Sequence, residues 1–285
     1  MNSSPPDLPR LFDRALLRDR QSRALRQGAE SFLLERVAED MAERQQAVLR
    51  EFAEGADLGT PGEQVRAGLA RNVRQLREVS LPVSDTGPLA LAPAAFDLVV
   101  SALALQFVND LPGVLAQIRR ALKPDGLFLA AMIGGETLTE LRQSFAAAEA
   151  EVEGGVSPRV APFVDLRDLG GLLQRAGFAL PVTDVDRIVV RYDNAFALMQ
   201  DLRRMGATNT LNERRRTPSR RATFLKMAQI YAERFSDPDG RIRATFDIVW
   251  MSGWAPHDSQ QKPLKPGSAR MSLADAVKKA GEGLG

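Results

Sequence analysis

Ala56-Asp57-Leu58-Gly59-Thr60-Pro61-Gly62 joins an acid to two glycines across a short loop. A strand ending in Asp-Leu-Gly, then a small-residue loop, then a helix can cradle a nucleoside cofactor. Glycines let backbone N–H groups come close, and a helix N-terminus favours polar or anionic groups. A plain turn is written with the same letters. Asp85 is a second candidate, leading through Leu89-Ala-Leu-Ala-Pro93 into Phe96-Asp-Leu-Val-Val-Ser101. A carboxylate at the C-terminal edge of a strand can accept a hydrogen bond from an adenine amino group; before Gly87-Pro88 it is equally a turn residue. Gln106, Phe107 and Asn109 follow the next strand, at the sheet edge where open α/β folds place ligands. The cofactor-binding candidates are therefore Asp57, Gly59, Gly62, Asp85, Gln106 and Phe107. No catalytic residue is assigned.

The remaining composition excludes several chemistries. The chain has 285 residues and no cysteine, which rules out disulfides, thiol nucleophiles, iron–sulfur clusters and cysteine zinc sites. His257 is the one histidine, so a multi-histidine metal site is impossible and no metal is expected. A Ser-His-Asp triad could rest only on His257, which sits in a Pro- and Gln-rich stretch and reads as an exposed loop residue. The net charge of +2 demands no nucleic-acid partner. Arg203 to Lys226 nonetheless holds eight basic residues against the single acid Glu213. That run is a solvated helix face, a docking surface for an acidic protein or substrate, or a nucleic-acid contact. The last is disfavoured because only Phe224 interleaves the arginines. Leu98 to Val108 is too short to span a bilayer. The start has no apolar core and carries Asp7, Asp13 and Asp19, so the expected location is cytoplasmic.

These residues need elements to position them. Residues 1–9 read as a polar tail. Leu25, Phe32, Leu33, Val37, Met41, Val48, Leu49 and Phe52 recur near helical spacing from Arg10 to Phe52. Gly55 to Gly62 is a turn-rich break, and 63–78 again looks helical. The residues before the loop, Arg50 to Ala56, lack the apolar run of a central parallel strand. Phe96 to Ser101 is a buried strand, Asp110 to Leu122 an amphipathic helix, Lys123 to Gly126 a turn, and Leu127 to Met132 a second strand. Together they make a parallel crossover unit. Asp165 to Ala176 is a helix stopped by Gly177, and Val182 to Tyr192 reads as strands. A short helical pattern covers Leu273 to Ala280.

Phe96-Asp-Leu-Val-Val-Ser101, Leu122-Lys-Pro-Asp-Gly126 and Leu173-Gln-Arg-Ala-Gly-Phe178 resemble the later motifs of class I S-adenosylmethionine-dependent methyltransferases. Leu11-Phe-Asp-Arg14, Val108-Asn-Asp-Leu-Pro112, Met132-Ile-Gly-Gly-Glu-Thr-Leu138, Glu153-Gly-Gly-Val-Ser-Pro158, Asp201-Leu-Arg-Arg-Met-Gly206 and Ile248-Val-Trp-Met-Ser-Gly-Trp254 run collinearly with one subfamily. It holds the methyltransferase-fold assembly factors of respiratory complex I and their alphaproteobacterial relatives. The likeness covers roughly residues 10–275. A more distant likeness is to the malonyl-carrier-protein methyltransferases of biotin synthesis.

The resemblance implies a Rossmann-like, doubly wound, mostly parallel sheet. It implies S-adenosylmethionine as cofactor and a protein client, an iron–sulfur subunit of complex I, reached without a transmembrane segment and by peripheral membrane contact. The implied activity is methylation or arginine hydroxylation. Two alternatives stand beside it: a catalytically degenerate assembly protein, and a carrier-protein carboxyl methyltransferase. The expected organisation is a tail and helix over 1–29, a methyltransferase-like domain over 30–190, a helical cap and final strand over 191–255, and a polar tail over 256–285.

The sequence departs from the family at the loop. The family pattern Asp-x-Gly-x-Gly-x-Gly is here Asp57-Leu-Gly-Thr-Pro-Gly62, and Pro61 removes a backbone donor. Only 28 positions separate Asp57 from Asp85. That is too few for two helices and two strands of ordinary length, which need about 40 residues. The first half is therefore expected to be shortened, with one strand fewer than the usual seven. The strand before Asp85 would lie beside the one leading to Asp57, or the first strand would be lost. No acid is assigned to the ribose hydroxyls, and Glu78 is not given that role.

Overall fold

A computed structural model describes residues 10–82 and 87–261. The elements are α1 (Arg14–Arg26), α2 (Phe32–Gln46), β1 (Phe52–Leu58), α3 (Gln64–Leu69), β2 (Val73–Val79), β3 (Phe96–Ala102), α4 (Leu111–Ala121), β4 (Leu122–Gly134), α5 (Thr139–Glu153), α6 (Leu166–Arg175), β5 (Ala179–Tyr192), α7 (Ala195–Arg204), α8 (Arg221–Phe235) and β6 (Ile242–Trp254). A one-turn 3-10 helix covers Leu105–Phe107. The strands form a single six-stranded sheet in the order β2-β1-β3-β4-β6-β5. The first four are parallel, and β6 runs antiparallel between β4 and β5.

Alternation along the central strands explains why both faces are covered. In β3, Leu98 and Val100 point into one core with α2, α3, α5, α7 and α8, while Val99 points into a second core with α4 and α6. The α4 stripe of Leu111, Val114, Leu115, Ile118 and Ala121 is buried throughout. Asp110 caps this helix by accepting from the Gly113 N–H at 2.9 Å, and Pro112 falls in the first turn, where no donor is lost. Gly177 ends α6 at φ +86°, a conformation that favours glycine.

The six-stranded sheet agrees with the expected shortening, but three points are corrected. The first is that β2 is an intact strand with the acid Glu78 beside its last residue, where the shortening predicts none. The sheet has six strands, and the strand before Asp85 does pair with β1. Among the described residues, Ser80 to Ala95 contains no strand or helix, and β2 is the edge of the sheet. However, Phe52 belongs to β1 rather than to a helix, and Arg50 to Ala56 leads into a real strand. β1 lies between two parallel neighbours, and its register pairs bury Gly55 to Leu58 despite the polar letters around them. A Cβ at Gly55 would sit 2.8 Å from Leu76 Cδ1 and 3.0 Å from Val73 Cγ1, so those side chains would have to shift to admit one. The helical reading of 63–78 holds only for α3; Val73 to Val79 is a strand with its two valines buried and its middle exposed, as an edge strand permits. The turn at Lys123 to Gly126 is absorbed into the start of β4, with Asp125 at φ +62°. The tail over 1–9 and the pattern at Leu273 to Ala280 lie outside the described residues.

Candidate functional site

The carboxyl ends of β1, β2 and β3 meet below α1, and a cavity of about 400 Å³ opens between them. Gly59, Thr60, Glu78, Ser80, Leu81, Ala104 and Phe107 form its floor and sides; Arg14, Leu17, Arg18 and Gln21 of α1 form its roof. The volume falls in the range of small-molecule sites. The cavity is polarised, with the Glu78 carboxylate on the sheet side and two guanidinium groups overhead.

The loop after β1 is fixed from below. The Thr60 hydroxyl donates to the Asp57 carboxylate and accepts from the Ala102 N–H at 3.0 Å; the Ser101 hydroxyl donates to the Leu58 carbonyl at 2.7 Å. Gly59 sits at φ +72°, and an added Cβ would lie 2.7 Å from Leu81. Glycine is required there on both counts. Asp57 itself is fully buried and does not line the cavity. Burial pushes its pKa up; the bonds from Thr60 and Arg66 oppose that, and the neighbouring Glu78 charge adds to it.

The α1 roof is anchored by polar contacts. Asn109 accepts from the Phe12 N–H at 2.8 Å and donates to the Phe12 carbonyl at 3.0 Å, while the Phe12 ring meets Phe107 edge-on with centroids 5.7 Å apart. Asn109 is therefore occupied in holding the roof. Asp13 caps α1 through the Leu16 N–H at 3.0 Å and pairs with Arg214 at 3.1 Å.

A second cavity of about 500 Å³ adjoins the first, sharing Gln21 and Phe107. Its walls are largely apolar, from Leu34, Leu103, Ile133, Leu141, Phe145, Phe163, Met199 and Phe246, with Arg20, Arg159 and Arg203 among the polar lining. Arg159 is held by the buried Glu149, Nε to Oε1 at 2.7 Å, and lies over the Phe145 ring.

The sequence candidates divide accordingly. Gly59 and Phe107 line the first cavity; Gly62, Gln106 and Phe107 line the second. Gln106 donates to the Leu103 carbonyl at 2.8 Å, and its Oε1 is buried without a hydrogen-bond partner among the described residues. Asp85 lies outside the described residues. Glu78, left unassigned above, ends an intact β2 and faces the cavity. The only signal that could have found it is the pair of valines at 73 and 79, since the polar residues between them show no strand alternation. Arg66, Arg14 and Arg18 carried no comparable signal. Among the described residues no three His, Asp or Glu side chains cluster to hold a metal ion. His257 is exposed and bonded to Ser259 at 2.7 Å.

The basic run separates into two classes. Arg214 pairs with Asp13, Arg215 with Glu153, and Lys226 with Glu151. Arg216, Arg220 and Arg221 are exposed. Reversing Arg214 and Arg215 to glutamate should lower the urea midpoint of unfolding before any client is added, because each new acid faces an old one. Reversing Arg216, Arg220 and Arg221 should leave that midpoint within error. Equal midpoints for the two triple- and double-site variants would show that the internal pairs carry no stability.

Comparison with known proteins follows this geometry. Residues 35–130 match the model of a methyltransferase domain. The chain is 39% identical to the zebrafish (Danio rerio) mitochondrial arginine-hydroxylase NDUFAF5, over 94% of this chain and 90% of that protein. It is equally 39% identical to the Homo sapiens counterpart, over 97% and 86%. It is 32% identical to a malonyl-[acyl-carrier protein] O-methyltransferase of Methylovorus, over 94% of each. Among solved structures, the BH2331 protein of Bacillus halodurans superposes with a TM-score of 0.50 at 14% identity, over 76% of this chain and 99% of that one. This last likeness bears on the fold alone.

Proposed function

Because the chain belongs to the family of the arginine-hydroxylase NDUFAF5, we propose that it acts on an arginine of a protein client during assembly of respiratory complex I, with S-adenosylmethionine in the cavity beneath α1. The observation that carries this reading is that 39% identity runs through 94% of the chain. That span is far longer than the 35–130 methyltransferase domain and so extends well beyond it.

The residues present fit the cofactor. Glu78 offers carboxylate oxygens to sugar hydroxyls, Arg14 and Arg18 suit the carboxylate of an amino-acid tail, and Gly59 brings backbone to the wall without a side chain. Pro61 supplies no N–H, so recognition falls on side chains more than on the loop. When bound, S-adenosylmethionine supplies an electrophilic methyl carbon on a sulfonium. Phe107 and Gln21 stand between that cavity and the apolar one, whose walls suit the aliphatic stem of a client side chain. Arg216, Arg220 and Arg221 remain available to steer an acidic client, an attraction that weakens over a Debye length of about 10 Å at 0.1 M salt.

Hydroxylation of an arginine C–H with dioxygen puts one oxygen atom into the product and releases the other as water. Its two electrons come from a reductant outside the chain. Methylation would instead add one carbon. This reading places the protein in the bacterial cytoplasm, in peripheral contact with a membrane-bound client; no helix among the described residues is long and apolar enough to cross a membrane. Mass spectrometry of the iron–sulfur subunits of complex I, from cells with and without the protein, tests it. The expected result is an arginine bearing one extra oxygen only when the protein is present. An added methyl group would support the transferase instead, and unmodified arginines with impaired assembly would support a binding role.

A further inference from the structure

β1 and β2 run parallel with Asp57 and Glu78 as register partners, so two carboxylates end neighbouring strands side by side. Such neighbours repel unless a cation stands between them. Arg66 of α3 does so: Nη1 donates to Asp57 Oδ2 at 2.9 Å, and Nη2 lies 3.2 Å from Glu78 Oε2. The two acids differ in setting. The Asp57 side chain is 0% exposed and that of Glu78 is 61% exposed. Asp57 is also gripped by Thr60, which is tied in turn to the β3 backbone. Asp57 and Arg66 thus form a bracket rooted in the sheet, with a planar fork whose second arm reaches the exposed acid.

We infer that Arg66 is a positioning residue, which holds the Glu78 carboxylate toward the cavity as the acceptor for the hydroxyls of a ligand sugar. The inference rests on reading that cavity as a nucleoside site. The ion pair uses Oε2 and leaves Oε1 outside it, on a residue that lines the cavity wall. Without the fork, an exposed glutamate has many rotamers, and the ligand must bear the cost of ordering it. A lysine at this position would give a point charge without the fixed angle between the two acids.

Calorimetric titration of the full chain with S-adenosylhomocysteine and with its 2′,3′-dideoxy analogue tests this. Arg66→Met should weaken the parent ligand by about tenfold, the worth of one or two hydrogen bonds, and the dideoxy ligand by less than about twofold. Arg66→Lys should fall between Met and the parent. Combining Arg66→Met with Glu78→Gln should add little to either alone, since both remove one contact. If Arg66→Met does not fold, Asp57→Asn with Arg66→Met carries the same comparison without stranding a buried charge. Equal weakening of both ligands, or no weakening of either, overturns the inference while leaving the nucleoside site standing. No binding of either ligand by the parent overturns the cofactor reading itself, and the role of Arg66 with it.

Discussion

Asp57→Ala is expected to cost about 3 kcal/mol of folding stability, the usual penalty for removing one partner of a buried ion pair. The carboxylate is wholly buried and satisfies two groups, the Arg66 guanidinium and the Thr60 hydroxyl. Its loss leaves Arg66 facing only the exposed Glu78, and frees the hydroxyl that anchors the Ala102 N–H. Asp57→Asn should recover more than half of the loss, because an amide oxygen still accepts from Thr60 and fills the same volume. Urea unfolding of the three proteins decides the matter. A loss below about 1 kcal/mol for Asp57→Ala would mean that the loop after β1 is not held from this acid.

Glu149→Ala is the second large effect, again about 3 kcal/mol. Glu149 on α5 is 1% exposed and accepts from the Ser157 N–H at 2.7 Å, the Ser157 hydroxyl at 2.8 Å and Arg159 Nε at 2.7 Å. It therefore fixes the 154–163 segment that walls the apolar cavity, and a truncation should loosen that wall as well as the fold. The pH dependence has a definite sign. Burial raises the Glu149 pKa, but the bonds from Ser157 and Arg159 outweigh it and hold the group below its usual 4.5. A carboxylate depressed on folding contributes its stability above its unfolded pKa and loses it as pH falls through the folded value. The stability gap between the parent and Glu149→Gln should thus be widest near neutrality and should close below about pH 4.5. A gap that stays constant down to pH 3 would remove Glu149 from that role.

Much of the second half was legible because its elements follow strong local rules. Phe96 to Ser101 sets Leu98, Val99 and Val100 in succession, α4 has a cap and a five-residue stripe, and Gly177 closes α6. The first half was not, because β1 and β2 carry charge along their length. Glu54 pairs with Arg77 across the two strands at 2.8 Å, so polar letters that spoil a strand pattern are cross-strand partners. Reading 63–78 as one helix followed from the same cause and hid the acid at the end of β2. The 28-residue spacing from Asp57 to Asp85 did limit how many elements fit, in keeping with a six-stranded sheet, but it did not reveal that β2 is intact. The internal pairing of Arg214 and Arg215 was invisible because their partners, Asp13 and Glu153, lie far away in sequence.

The central claim is that a nucleoside cofactor site survives the shortening of this fold, with Glu78 as its sugar-binding acid. Equilibrium titration of the full chain with S-adenosylmethionine, parent against Glu78→Ala, tests it most directly. The account predicts saturable one-to-one binding by the parent and affinity at least about tenfold weaker in the variant, the cost of leaving sugar hydroxyls without their acceptor. Binding that Glu78→Ala leaves unchanged, or a parent that takes up none at millimolar cofactor, would contradict it.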